Sequence, residues 1–212
     1  ALEDDDIVPG GATNLTDLSE RFNTSPYLTG TSDVVALMVM EHQTQTQNRI
    51  TALSYQTRMA AYYDQTMNEA LGRSSDHRSP SSIRRVESAA EDLVRALLFV
   101  DEAPLTEPIV GTSGFAEHFA SLGPKDDQGR SLRDFDLKTR LFRYPLSYLI
   151  NSEAFDALPP IAKREVYDRL DAILSGRERD ADFDHLTPEL RREILAILRA
   201  TRPDFPGGAP PG

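Results

Sequence analysis

One long segment between two helix-terminating signals constrains the fold more than any other feature of the sequence. It begins at the capping cluster Thr31-Ser32-Asp33 and ends at Gly72, a residue type that often stops helices. The segment is about 39 residues long, which corresponds to roughly 58 Å at 1.5 Å per residue. We therefore expect one long helix, which either runs unbroken or kinks in its polar centre.

A second long helix is predicted after a serine-rich linker. Ser79 or Ser81 can cap its first turn, and apolar residues then recur on one face. That face consists of Ile83, Val86, Leu93, Leu97 and Val100. We expect the two long helices to form an antiparallel pair, with shorter helices packed against it.

The same signals predict several shorter helices. These are one in NLTDLSERF (14–22), one around 115–122, two pieces joined near Pro145 within 131–150, a short helix followed by an amphipathic helix that stops at Gly176, and a last helix capped by Thr187. The sequence has no strand-like alternation and no Asn-Gly or Asp-Gly turn signal. We therefore predict an all-α fold, a helical bundle with one long helix pair and several shorter helices.

Composition divides the chain into three parts and excludes several classes of function. We expect a flexible acidic arm at 1–14, a single helical domain at 15–202 and a Pro/Gly-rich tail at 203–212. The net charge of −11 argues against nucleic-acid binding, and no apolar run is long enough for a membrane span. The absence of cysteine excludes disulfides, thiolate metal sites and covalent c-type haem attachment.

The first residues suggest an exported protein. The chain begins with Ala1 and continues with the acidic stretch LEDDD, a start that is typical of a mature form after removal of a signal peptide. A trimmed sequence would look the same. We expect a periplasmic or otherwise exported location.

A polar band interrupts the predicted long helix. The segment 41–49, EHQTQTQNR, contains no apolar residue. Counting from Met38 in steps of three and four places His42, Gln45 and Arg49 on the stripe that should face the core. Buried polar groups need hydrogen-bond partners, so this band demands an explanation.

Three interpretations of the polar band remain open. The helix can cross a gap in the bundle, where water or neighbouring carboxylates satisfy the polar groups. The band can form an internal polar network or ligand pocket, with His42 and Glu41 as the reactive groups. It can also be a docking surface for another protein.

The histidines do not follow the spacing of known helical metal sites. They are His42, His77, His118 and His185, and none belongs to a Glu-x-x-His, His-x-x-x-His or HExxH motif. The sequence also lacks GxSxG, Walker A and GxGxxG motifs. A non-covalent haem held by His42, with His118 or a methionine, remains the cofactor alternative.

A basic stretch stands out in this acidic chain. Two acids, Asp134 and Asp136, interleave with its cations, so local ion pairs are one explanation. The alternative is an anion site for a carboxylate or a haem propionate, which arginine grips through two hydrogen bonds. The candidate residues are Arg130, Arg133, Lys138, Arg140 and Arg143, with hydroxyl donors from Tyr144 and Tyr148.

Three stretches of the sequence carry a resemblance that spans about 22–203. They are YLTGTSDVVALMVMEHQTQTQNRIT, GRSLRDFDLKTRLFRYPLSYLINSEAFDALP and FDHLTPELRREILAILRATRP. Together they resemble a family of exported bacterial proteins that occur as helical regions in or beside cytochrome-c-type proteins. The resemblance implies a periplasmic, redox-associated setting without an assigned activity. The chain departs from the cytochrome members because it has no CxxCH motif. Residues of interest within these stretches are Glu41, His42, Arg140, Arg143 and Tyr144.

These observations favour a non-enzymatic role. We expect a periplasmic accessory or docking protein for a redox partner of cytochrome type. The alternative is a helical protein that binds a cofactor or metal through His42 and acts as an oxidoreductase. In the alternative, the five residues Glu41, His42, Arg140, Arg143 and Tyr144 would form the cofactor site.

Overall fold

The fold is built from helices, as the sequence predicts. A computed structural model describes residues 16–178 and 180–208, and over these residues the chain forms six α-helices, two 3-10 helices and no strand beyond two isolated bridges. The α-helices, numbered α1 to α6, are Val34–Leu71, Pro80–Leu97, Phe115–Ser121, Glu153–Asp156, Pro160–Leu174 and Pro188–Thr201. The 3-10 helices are Tyr148–Asn151 and Ala181–Phe183. The acidic arm predicted at 1–14 lies outside the described residues.

Helix α1 begins and ends at the residues that the sequence indicates. Asp33 is its N-cap, and the Asp33 Oδ1 accepts hydrogen bonds from the backbone N–H groups of Val35 and Ala36. Gly72 is the C-cap in the left-handed conformation, with a φ of 63°. The helix is continuous over its 38 residues and therefore spans about 57 Å.

Helices α1 and α2 form the predicted antiparallel pair. The Ser82 hydroxyl, in the first turn of α2, donates to the Asp64 carboxylate near the end of α1 at 2.9 Å. Further along, Arg49 of α1 pairs with Asp92 of α2 at 3.8 Å. Helix α2 also packs on α5, and α5 packs on α6. Buried apolar residues of α1, α2, α5 and α6 belong to one hydrophobic cluster.

The predicted inward face of α1 is wrong in its central part. Gln45 and Arg49, which the pattern placed toward the core, are exposed, while His42 is half-buried at the edge of the core. The buried stripe lies one residue away and includes small polar side chains that periodicity in apolar residues does not reveal. It consists of Val35, Val39, Thr46, Ile50, Leu53, Thr57, Ala60, Asp64 and Asn68.

Two predicted helical segments are not helical. From Thr16 onward, the first segment forms turns, with Asp17 bridging to Thr31. The segment 131–147 is irregular because the chain folds back on itself there, with Phe135 bridging to Phe142. The Leu137 N–H donates to the Arg140 carbonyl at 3.0 Å, and Leu137 has a φ of 58°, which no helix allows. Only a 3-10 turn follows Pro145, rather than a second helical piece.

The last described residues, 202–208, pack on the core. Phe205 is buried, and its ring contacts Tyr167 with a centroid separation of 5.2 Å. Asp204 pairs with Lys163 and Arg202. The start of the predicted tail at 203–212 is therefore packed, and 209–212 lie outside the described residues. None of the described helices has the length and apolar character needed to cross a membrane.

Candidate functional site

His42 lies at the junction of α1, the turn after α2 and the 3-10 helix at Tyr148–Asn151. Its Nε2 is 2.7 Å from the Ser147 hydroxyl oxygen. Its ring stacks on Phe99, with centroids 4.2 Å apart and planes 15° apart. The rings of Phe142 and Tyr148 lie further out, at 5.9 and 6.3 Å. His42 is thus packed into an aromatic cluster and held by one hydrogen bond.

The hydrogen bond to Ser147 sets the tautomer of His42. Ser147 is fully buried, and its Oγ accepts the backbone N–H of Leu149 at 3.3 Å. Among the described residues, the His42 ring is the only acceptor within hydrogen-bond distance of the Ser147 hydroxyl group. We therefore assign the hydroxyl as the donor to Nε2, which leaves the ring proton on Nδ1.

The surroundings of His42 keep the ring uncharged. Desolvation by burial lowers the pKa of His42 to about 4. The imidazole is consequently neutral near pH 7, well away from the pKa that suits a general acid or base at that pH. This favours a packing role for the ring over proton transfer.

The end of α2 positions both partners of His42. The Ser147 N–H donates to the Leu97 carbonyl at 2.7 Å, and His185 Nε2 donates to the Leu98 carbonyl at the same distance. The chain then turns sharply through Phe99 and Asp101, which have φ values of 57° and 65°. Positive φ is unfavourable for residues other than glycine, so this turn is held by its surroundings.

The polar band of α1 lines two open grooves. The first, which we call the His42 groove, has a volume of about 340 Å³ and runs between α1 and the turn after α2. The second, of about 550 Å³, continues toward Arg49 and Asp92. The two share the residues Gln45, Ala96, Val100 and Asp101. The polar band thus faces open grooves on the protein surface, between the sealed core and bulk water.

Two of the predicted site residues meet in the His42 groove, and a third lies close to it. Glu41 and His42 both line the groove, and Gln45 Nε2 donates to Glu41 Oε1 at 3.2 Å. Arg140 does not line it but lies close enough to Glu102 to lower the pKa of that carboxyl. Desolvation has the larger effect and raises the pKa of Glu102 above its usual value, although much of the residue is exposed.

The remaining two predicted residues lie elsewhere. Tyr144 is buried, with 1% exposure, and Arg143 covers its ring at 5.3 Å. Neither lines the His42 groove. The Tyr144 hydroxyl has no hydrogen-bond partner among the described residues, and desolvation raises the pKa of this phenol. The five candidate residues therefore do not form one site.

Two cations of the basic stretch, Arg130 and Arg133, are used inside the fold. Arg130 forms an ion pair with Asp126 at 2.7 Å. The Arg133 guanidinium lies over two neighbouring rings, at 4.4 Å from the centroid of Phe119 and 4.6 Å from that of Tyr148. These contacts favour the interpretation as local ion pairs and cation–π contacts over that of an anion site.

The residues around His42 do not fit an axial haem ligand. An iron bond through Nε2 would displace the Ser147 hydroxyl from that nitrogen, and Ser147 is fully buried beside it. In the part of the chain that the structure describes, no three His, Asp or Glu side chains are placed to share a metal ion. We find no feature that favours the cofactor alternative.

The outer face of α1 is unusual for a protein of this charge. Between His42 and Thr57 the only charged residue is Arg49. Thr44 and Thr51 donate their hydroxyls to carbonyls of the same helix four residues earlier, so they present methyl groups outward. Large apolar and aromatic side chains stay exposed along the helix. They are Leu37, Met40, Tyr55, Tyr62, Tyr63, Met67 and Leu71, and the exposed fraction of the three tyrosines is 51–64%.

Sequence reasoning found His42 and missed its surroundings. Ser147 comes 105 residues after His42 in the chain, and no local pattern connects the two. Phe99 and Thr46 are also absent from the predicted site. Thr46 could have been found from its place on the true buried stripe, where a lone hydroxyl needs an explanation.

Comparisons with protein-family models, curated proteins and solved structures find no match to this chain. The resemblance to exported proteins associated with cytochromes therefore stays an expectation.

Proposed function

We propose that the chain is a non-enzymatic, exported docking protein for a redox partner of cytochrome type. The observation that carries the proposal is the outer face of α1, defined here as Leu37, Thr44, Thr51, Tyr55 and Tyr62. These side chains are exposed on a helix whose central turns bear a single charge. The face that a soluble helix turns to water is ordinarily charged.

The composition of this face is that of a protein interface. Interface centres are enriched in tyrosine and methionine and depleted of lysine and glutamate. The tyrosines Tyr55 and Tyr62 offer large rigid surfaces that lose little entropy on binding. The threonine hydroxyls are already satisfied, so covering them does not strand a polar group.

The net charge of the chain supports a basic partner. A charge of −11 steers cationic proteins toward the molecule and repels anionic ones. The resemblance to proteins found in or beside cytochromes supplies the redox context. The periplasmic location rests on the same resemblance.

Binding to a lysine-rich c-type cytochrome tests this function. We expect calorimetric titration at low ionic strength to give a 1:1 complex in the micromolar range. Tyr55→Lys should weaken it at least about ten-fold, because the substitution removes a contact ring and adds like charge.

Leu122→Lys is the matched control. Leu122 is similarly exposed, at 59% against 62% for Tyr55, and lies on another element, so the charge change is identical. We expect its affinity to stay within about two-fold of the unmodified protein, since surface charge alone acts weakly. No complex with the unmodified protein, or equal loss in both variants, would overturn the proposal.

A further inference from the structure

We propose that the His42 groove is the anchor site for a lysine side chain of the partner. This inference rests on the proposed docking function and identifies the partner group that enters. The groove lies beside the outer face of α1, because Glu41, which lines it, is one turn after Leu37, and Gln45 directly follows Thr44. A protein covering that face could reach the groove with one long side chain.

Thr46 supplies the first observation that points to a ligand. Thr46 lines the groove and is 1% exposed, and its hydroxyl oxygen, which lies just behind the groove wall out of contact with solvent, has no hydrogen-bond partner in the described structure. Other threonines of α1 donate to the carbonyl four residues earlier; they are Thr44, Thr51, Thr57 and Thr66. A buried hydroxyl left unpaired costs stability, and a ligand that bonds to it removes that cost.

The charge of the groove selects a cation. Its carboxylates are Glu41, Asp101 and Glu102, and no lysine or arginine is among the described residues that line it. Asp101 is already paired with Arg95 at 3.2 Å. Glu102 has no ion pair within 4 Å in the described structure, and desolvation penalises its charged form more than the Leu141 N–H and the more distant Arg140 stabilise it. An incoming ammonium group would compensate that carboxylate.

The walls of the groove suit the stem of lysine. Met38, Phe99, Val100 and Leu141 provide apolar surface, and the acids lie among them. Lysine buries its four methylene groups against such surfaces while its ammonium seeks polar partners. A compact ammonium has three donors, enough for Thr46 Oγ1 and the carboxylates, whereas a planar guanidinium is best matched by one carboxylate held in its plane.

The backbone around the groove is strained in the way that binding sites often are. Phe99 and Asp101 both have positive φ, and both line the groove. Such conformations persist only where the surrounding contacts impose them. Here they hold Phe99 against His42 and place Asp101 and Glu102 at the rim. The walls of the groove are therefore formed before any ligand arrives, and only a small side-chain shift is needed to uncover the Thr46 hydroxyl.

An NMR titration of the full chain tests the anchor. The probe is the capped peptide acetyl-Gly-Lys-Gly-amide, and its Nε-acetylated form is the charge control. We expect the lysine peptide to shift the amide signals of Thr46, Val100 and Glu102 with a Kd on the order of 1 mM. The acetylated peptide should leave them unchanged.

Two variants report on the proposed contacts. Thr46→Val should weaken binding of the lysine peptide about ten-fold without lowering the urea midpoint, because valine removes the unpaired hydroxyl and keeps the shape. Thr57→Val, whose hydroxyl bonds to the Leu53 carbonyl, is the control and should leave binding unchanged. Glu102→Gln should also weaken binding about ten-fold, while Glu69→Gln at the far end of α1 should not.

The outcomes separate this inference from the docking function. If both peptides shift the same amides equally, or neither does, the lysine anchor is overturned. Should butylamine bind where the capped peptide does not, the groove is too narrow for a side chain on a backbone, and the anchor is again overturned. In either case, a cytochrome complex that is still lost in Tyr55→Lys leaves the docking function intact.

Discussion

The imidazole of His42 is stable in the folded protein only while it is neutral. Stacking on Phe99 and the bond from Ser147 remove water from the ring and bring no carboxylate in exchange. The acids of the groove are Glu41, Asp101 and Glu102, and none of them offsets the effect of desolvation on the ring. Protonation of His42 therefore opposes folding.

This makes the stability of the fold dependent on pH through His42. Its pKa is about 4 in the folded chain and about 6.5 when unfolded, so the unfolded state takes up the proton first as the pH falls. Stability should fall as the pH drops from about 6.5 toward 4, by roughly 2 kcal/mol at pH 5. Urea unfolding at pH 7 and pH 5 measures the loss.

His42→Asn separates this effect from the titration of carboxylates, which also weakens the fold in acid. The variant should be less stable at pH 7 and should lose less stability than the unmodified protein between pH 7 and pH 5. An NMR titration of the His42 ring that gives a pKa near 6.5 would contradict the prediction.

At the scale of single residues, the sequence identified His42 as a candidate but not the residues that surround it. Its position next to the apolar residues of α1 made it a candidate. Thr46, Phe99 and Ser147 come from three separate parts of the chain, and the fold alone brings them together. Contacts of this kind leave no periodic signal in one sequence.

Among the elements, the start of α1 depends on one carboxylate. Asp33 Oδ1 caps the helix, and Oδ2 accepts the N–H groups of Thr112 and Ser113 at 3.0 Å each and the Ser113 hydroxyl at 2.6 Å. Desolvation alone would raise the pKa of Asp33, but these hydrogen bonds outweigh it and lower the pKa. A single side chain thus joins α1 to the loop before α3.

Asp33→Ala should destabilise the protein by about 2–4 kcal/mol, because it removes the cap and leaves the N–H groups of Val35, Thr112 and Ser113 without their acceptor. Asp33→Asn should cost less, since one oxygen remains. Asp17→Ala is the control: Asp17 makes a similar bond to the Ser19 N–H but is exposed, so a change below about 0.5 kcal/mol is expected. Equal unfolding midpoints for Asp33→Ala and Asp17→Ala would refute this role.

Helix ends were predicted well and helix faces less well, for a physical reason. Capping depends on a few adjacent residues, so Asp33, Gly72 and Thr187 could be recognised locally. The register of α1 depends on its neighbours, and its buried stripe carries Thr46 and Asp64 rather than the predicted Gln45 and Arg49. The spacing of apolar residues placed the buried face of α1 wrongly, because buried polar residues such as these add nothing to an apolar pattern.

At the scale of the whole molecule, charge and shape act at different stages of binding. The net charge of −11 acts at a distance and is screened by salt over about 8–10 Å at physiological ionic strength. The uncharged outer face of α1 and the apolar walls of the His42 groove act only after contact. Long-range attraction should therefore govern association, and the face and the groove should govern dissociation.

Stopped-flow kinetics with a lysine-rich c-type cytochrome checks this division. Raising the salt from about 20 to about 200 mM should slow association at least about ten-fold and change dissociation little. Tyr55→Lys should mainly speed dissociation, because it removes a contact and alters the total charge by one unit of eleven. A cytochrome with an acidic surface should not associate measurably at either salt concentration. Association that is insensitive to salt would show that the acidic charge of the chain has no part in finding a partner.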